Sequence, residues 1–127
     1  MAVGIAVGWL TAAGVSGYRE PVKRTVLLRT DLAGMEAQEG VMWLVEIAPG
    51  AATGKHYHPG HEFVFVLEGA GQTEMKGKLP ATMQAGQAAY LSPGQVHKTT
   101  NTSTTAPARA LVMYVGAKGQ PLVVPLQ

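Results

Sequence analysis

The 127-residue sequence contains no cysteine, which excludes disulfides, thiolate metal sites and a cysteine nucleophile while leaving the redox compartment open. Charge is scarce: only 14% of residues are Asp, Glu, Lys or Arg, for a formal net charge of +2. The basic residues stand singly rather than in runs, and aromatics make up 6%, so no nucleic-acid partner is expected. A long hydrophobic run is missing too. Residues 2–16 are apolar and rich in small side chains, but fall short of the roughly 20 residues a membrane helix needs, so no stable membrane span is expected. No Lys or Arg precedes that stretch, as a signal peptide would require, although Val15-Ser16-Gly17 offers the small residues of a cleavage site. Residues 1–17 therefore read as a signal-peptide remnant or as an N-terminal extension. The first implies a periplasmic or secreted protein, the second a cytoplasmic one.

What is present is apolar: 46% hydrophobic residues, enough for one packed core in one domain. From Thr25 onward, short β-prone runs alternate with turn signals such as Pro49-Gly50, Pro59-Gly60, Lys76-Gly77, Ala85-Gly86 and Pro93-Gly94. The runs fall at 25–29, 41–48, 55–58, 62–67, 71–75, 81–84, 88–91, 97–101 and 109–115. A weak helical period occurs only at 32–38, where a turn is an equal reading. The density of turns predicts an all-β sandwich or barrel. Two strands are apolar on both faces, Val41-Met42-Trp43-Leu44-Val45 and Phe63-Val64-Phe65-Val66-Leu67. The outward set Phe63, Phe65 and Leu67 needs cover, from a second sheet or from a partner subunit, and a homodimer is expected.

Three of the four histidines stand with a carboxylate in a pattern suited to a metal. His56 and His58 are two residues apart, so on a strand both imidazoles project from one face about 6–7 Å apart along it. The Pro59-Gly60 turn returns the chain and puts Glu62 on the same side. His97 lies on a later strand, and spacing alone does not bring it to the others. An isolated pair of this kind is most simply two ordinary histidines; the carboxylate and the third imidazole shift the balance. Nitrogen and oxygen ligands without thiolate suit one divalent transition metal among Mn, Fe, Ni, Co, Cu and Zn. Its uptake should weaken as pH falls through the imidazole range near about 6.5. His61 adjoins Glu62 and faces away by strand parity, which makes it a surface or interface residue, with proton transfer the alternative.

These residues compose two motifs. Gly50, five residues, His56-Tyr57-His58, three residues, Glu62, six residues and Gly69 make the first; Gly86, Ser92-Pro93-Gly94, His97 and Asn101 make the second. Together they resemble the cupin superfamily, in its small single-domain metal-binding form, over about residues 25–115. Ser92 departs from the pattern, standing where a proline is usual, in the turn that precedes His97. The resemblance implies a single cupin barrel (a double-stranded β-helix or jelly roll) occupying 25–127, with His56, His58, Glu62 and His97 around one divalent ion. Asn101 is expected to bond backbone rather than metal. Trp43, Tyr90, Met113 and Tyr114 are candidates to line a substrate pocket, although ordinary core packing explains each of them too. The function it implies is dioxygenase-like chemistry on a small organic substrate, with Glu62 as a proton acceptor. The alternatives are a metal-dependent lyase or isomerase, and a non-catalytic protein that binds a metal or small ligand.

Overall fold

The computed structural model describes residues 20–127, so the reading of residues 1–17 lies outside the described residues. The regular elements are strands: β1 (Val22–Leu32), β2 (Met35–Ile47), β3 (His56–Tyr57), β4 (His61–Glu68), β5 (Ala70–Met75), β6 (Ala81–Gln84), β7 (Ala88–Leu91), β8 (His97–Thr100), β9 (Ala108–Ala117) and β10 (Val124–Pro125). No helix among them is long and apolar enough to cross a membrane. The weakly helical stretch resolves into a hairpin turn, because Gly34 takes a φ of +80° between β1 and β2 and the β pattern resumes at Met35.

Two five-stranded antiparallel sheets form, in the orders β1-β2-β9-β4-β7 and β10-β3-β8-β5-β6. They face each other across the interior, as in the double-stranded β-helix. Alternation along the strands decides what each sheet contributes. On β2 the inner residues are Val41, Trp43, Val45 and Ile47; on β9 they include Val112 and Tyr114. Val41, Trp43, Val112 and Tyr114 make the fully buried cluster, with Val45, Val64 and Leu122 packed against it. The opposing sheet covers this inner face only. Phe63, Phe65 and Leu67 are on the outside, 43–47% exposed, so a second sheet does not provide their cover.

Three observed elements differ most from the sequence reading, the first being β2, which begins at Met35 rather than at residue 41. β1 begins at Val22 rather than Thr25 and runs 11 residues along β2, with a bulge between Val26 and Leu28. β10 carries no pattern of its own in the sequence; it forms because Val124 and Pro125 pair with Tyr57 and His56.

Candidate metal centre

The three imidazoles reach one another through backbone pairing. His56 and His97 are direct cross-strand partners on β3 and β8, with ring centroids 4.2 Å apart, and directly paired residues share a face. This is what brings His97 to the site. His58 follows β3 immediately, its ring 5.0 Å from His56 and 5.3 Å from His97. Its carbonyl accepts a hydrogen bond from Gly94 N at 2.9 Å, tying the first motif to the turn of the second. That turn forms despite Ser92: Gln95 N donates to Ser92 O at 3.1 Å and Gly94 takes a φ of +78°, the type II arrangement with Pro93 at its first central position. Glu62 reaches inward from β4 on the other sheet, Oε1 lying 3.3 Å from His58 Nε2 and 3.7 Å from His97 Nε2.

Each imidazole is oriented by a backbone carbonyl. His56 Nδ1 donates to Gly54 O at 3.0 Å, His58 Nδ1 to Leu122 O at 2.7 Å, and His97 Nδ1 to Gln95 O at 2.9 Å. A proton held on Nδ1 leaves the Nε2 lone pair free and fixes the ring plane, as ligand histidines require. His58 Nε2 and Glu62 Oε1 are buried with no hydrogen-bond partner. An unpaired buried polar atom costs about 1–3 kcal/mol, so two adjacent ones amount to an unmet demand for a cation or a proton. The ligand atoms of His56, His58 and His97 lie within 4.8 Å of one another, and all three residues are buried, a triad suited to a metal.

Electrostatics favours neutral imidazoles. Burial lowers His56 to about 4 and His58 to about 3, and moves His97 in the same direction, in each case outweighing the opposing effect of the hydrogen bond that Nδ1 donates to the carbonyl. Burial raises Glu62 to about 7, with Arg24 pulling weakly the other way. At neutral pH the three nitrogens are therefore unprotonated, and Glu62 is close to losing its proton.

The site opens into a cavity of about 90 Å³ between the sheets. Its walls are mostly apolar, among them Val45, Val64, Val66, Leu91 and Val112. Of the four pocket candidates, Trp43 lines this cavity, its ring centroid 5.6 Å from that of His58. Tyr114 is buried behind it, packed on Trp43 at 5.8 Å rather than lining the space. Tyr90 and Met113 are 51% and 49% exposed on the outer face, paired with outward-facing Phe63 on either side. Since Glu62 points inward, its neighbour Phe63 and both of Phe63's partners must point out. His61 lies on that face as well, its Nδ1 2.8 Å from the Tyr90 hydroxyl.

Asn101 holds the end of the barrel. Only 1% exposed, it donates from Nδ2 to Ile47 O at 3.1 Å and Ala106 O at 2.8 Å, while Oδ1 accepts from Ser103 N at 3.1 Å. Two contributors to the site escaped the sequence reading. The Leu122 carbonyl that orients His58 has no sequence signature, being backbone. Arg24, a cavity-lining residue, fell just outside the predicted first strand; one more turn of alternation back from Val26 would have found it.

Comparison with known proteins agrees with this architecture. The Cupin_2 family model, described as a cupin domain, matches residues 43–114. No curated protein matches the sequence. Among solved structures, the DMSP lyase DddQ from Ruegeria pomeroyi DSS-3 superposes with a TM-score of 0.67 at 20% identity, over 97% of this chain and 67% of that one. An oxalate oxidase gives a TM-score of 0.66 at 23% identity, over 92% and 61%. An uncharacterized conserved protein with a double-stranded β-helix domain from Klebsiella pneumoniae subsp. pneumoniae MGH 78578 gives 0.63 at 23%, over 87% and 89%. Against the matched lyase and oxidase chains this one spans 44–67% of their length. At such identities the likeness is one of fold.

Proposed function

Because the chain belongs to the cupin-domain family, we propose that it is a divalent-metal protein: His56, His58, Glu62 and His97 hold one ion, which acts on a small organic substrate in dioxygenase-like chemistry. The observation that carries the metal reading is the pair of orphaned buried atoms, His58 Nε2 and Glu62 Oε1, beside two further imidazoles whose Nδ1 atoms are already committed to carbonyls. Three neutral nitrogens and a carboxylate suit Mn, Fe, Ni, Co, Cu or Zn. When bound, such an ion supplies Lewis acidity and a template for substrate.

The residues around it supply the rest. Trp43 and the valine-rich wall exclude water and strengthen electrostatic interactions inside. Among the described residues Glu62 is the only carboxylate lining the cavity, so it is the residue available to accept a substrate proton. The solved structures of like fold include lyases as well as an oxidase, so chemistry at this fold has to be read by assay. Anaerobic reconstitution with Fe(II) or Mn(II), elemental analysis, and O2 uptake across diketones, catechols, flavonols and thiols test the reading. One ion per chain with uptake on one substrate class supports it. Metal-free protein after reconstitution overturns the site, and a fully loaded protein that takes up no O2 with any of these substrates overturns the dioxygenase-like reading while leaving the metal site standing.

We also propose a homodimer that closes over Phe63, Phe65, Tyr90 and Met113. These side chains surround a shallow outer depression and are each 43–51% exposed, an apolar patch that a lone chain leaves in water.

A further inference from the structure

Arg24 lines the same cavity as the four candidate ligands, yet it keeps enough solvent exposure to place it at the mouth. Its register is unambiguous. It pairs across the sheet with Val45, which also lines the cavity, so the side chain belongs to the inner face. The described arginines divide sharply in their partners. Arg29 grips Glu39 with two bonds of 2.9 Å, and Arg109 lies 3.4 Å from Glu46 and 3.5 Å from Glu68. Arg24 has no hydrogen-bond or ion-pair partner among the described residues.

Charge balance then points to the occupant. With a divalent ion, neutral imidazoles, one carboxylate and one guanidinium, the site carries a net charge of about +2, within walls that are mainly Val, Leu, Met and Ile. Glu62 is committed to the ion, and the other arginine on the lining, Arg109, is already balanced by Glu46 and Glu68. We infer that the substrate is a small carboxylate, with an oxygen toward the ion and its charge paired with the planar fork of Arg24. A guanidinium suits this role because it presents two parallel N–H donors to a carboxylate. The cavity of about 90 Å³ limits the ligand to a few heavy atoms, a water taking about 10–15 Å³ on the same scale. This inference rests on the metal reading above and assigns Arg24 as a specificity-determining residue.

The test is ligand titration of Co(II)-loaded protein, followed in the visible spectrum, with the metal content of every sample measured. Glycolate and propionate are the probes, their neutral amides the matched controls, and imidazole a ligand that addresses only the ion. Wild-type protein should prefer each acid to its amide. Arg24→Gln should weaken acid binding about 10- to 100-fold, the range of a charge-assisted hydrogen bond, and change imidazole binding less than about twofold. Arg24→Lys, which keeps the charge without the fork, should recover part of the loss. Wild-type protein that loads fully but binds amides as well as acids, or an Arg24→Gln protein with unaltered glycolate affinity, overturns the inference and leaves the metal reading standing. Wild-type protein that takes up no Co(II) overturns both, and the metal assay tells the two failures apart.

Discussion

At the scale of single residues, the site works by committing one nitrogen of each histidine so that the other is free. Three carbonyls accept from Nδ1, and burial keeps the rings neutral. His97→Ala removes one of the four proposed ligands and should lower affinity for Co(II) or Mn(II) by at least about 100-fold, more than the 10- to 100-fold typical of losing an outer hydrogen-bond partner. Equal metal content in wild-type and variant protein after dialysis would remove His97 from the site. The pH dependence of uptake changes from what composition suggests. Burial lowers all three imidazoles, and His56 and His58, at about 4 and about 3, compete with the ion only near pH 4 and under. Glu62, raised to about 7, is the group still protonated in mildly acidic solution. As pH falls below about 7 the ion must displace that proton, and affinity should drop up to about tenfold per unit, steepening near pH 4 as the histidines join. Calorimetry in buffers of different ionisation enthalpy should find about one proton released per ion at pH 6; release of two or three would return the effect to the histidines.

At the scale of elements, turns and registers carry the site. Gly60 shows how closely β4 enters against β9. A Cβ there would collide with Val115 O and lie 2.7 Å from the Tyr114 ring, so the strand entry requires a residue without a side chain. Gly60→Ala should cost about 1–3 kcal/mol through overpacking and lower the melting temperature accordingly. Because the turn also aims Glu62, the same substitution should weaken metal binding. A variant as stable as wild type would show that β9 gives way easily. Most strand boundaries were legible because Gly and Pro bracket them: β6 and β7 coincide with the predicted 81–84 and 88–91. β1 was read too short although Pro21 precedes it, because Lys23 and Arg24 interrupt the β-prone pattern that resumes at Thr25, and this cost the sequence reading Arg24. β10 was missed because two residues cannot declare a period and exist as a strand only through their partners.

At the scale of the whole molecule, two facing sheets satisfy the interior and leave the outer face of one apolar. Phe63, Phe65, Tyr90 and Met113 are exposed together, and the proposed dimer would bury them. Sedimentation should find a dimer, and Phe65→Glu should shift it toward monomer with metal content unchanged, because residue 65 faces away from the cavity. A wild-type chain monomeric at high micromolar concentration would refute the dimer. The same outward direction explains why Tyr90 and Met113 do not line the cavity. Their aromatic and thioether character suits a pocket, but their cross-strand pairing with Phe63 commits them to the other side.

The sequence by itself determined what local spacing controls. An HxH pair on one face, a Pro-Gly turn returning to a carboxylate, and the glycines at positive φ all follow from alternation and turn chemistry over a few residues. Only the tertiary structure decided what depends on register between distant strands: that His97 lies opposite His56, that Trp43 rather than Tyr90 borders the cavity, and that Arg24 enters it. A strand's own residues specify which side chains share a face, but which face turns inward, and what it meets there, is chosen by the packing of sheets whose partners lie tens of residues apart.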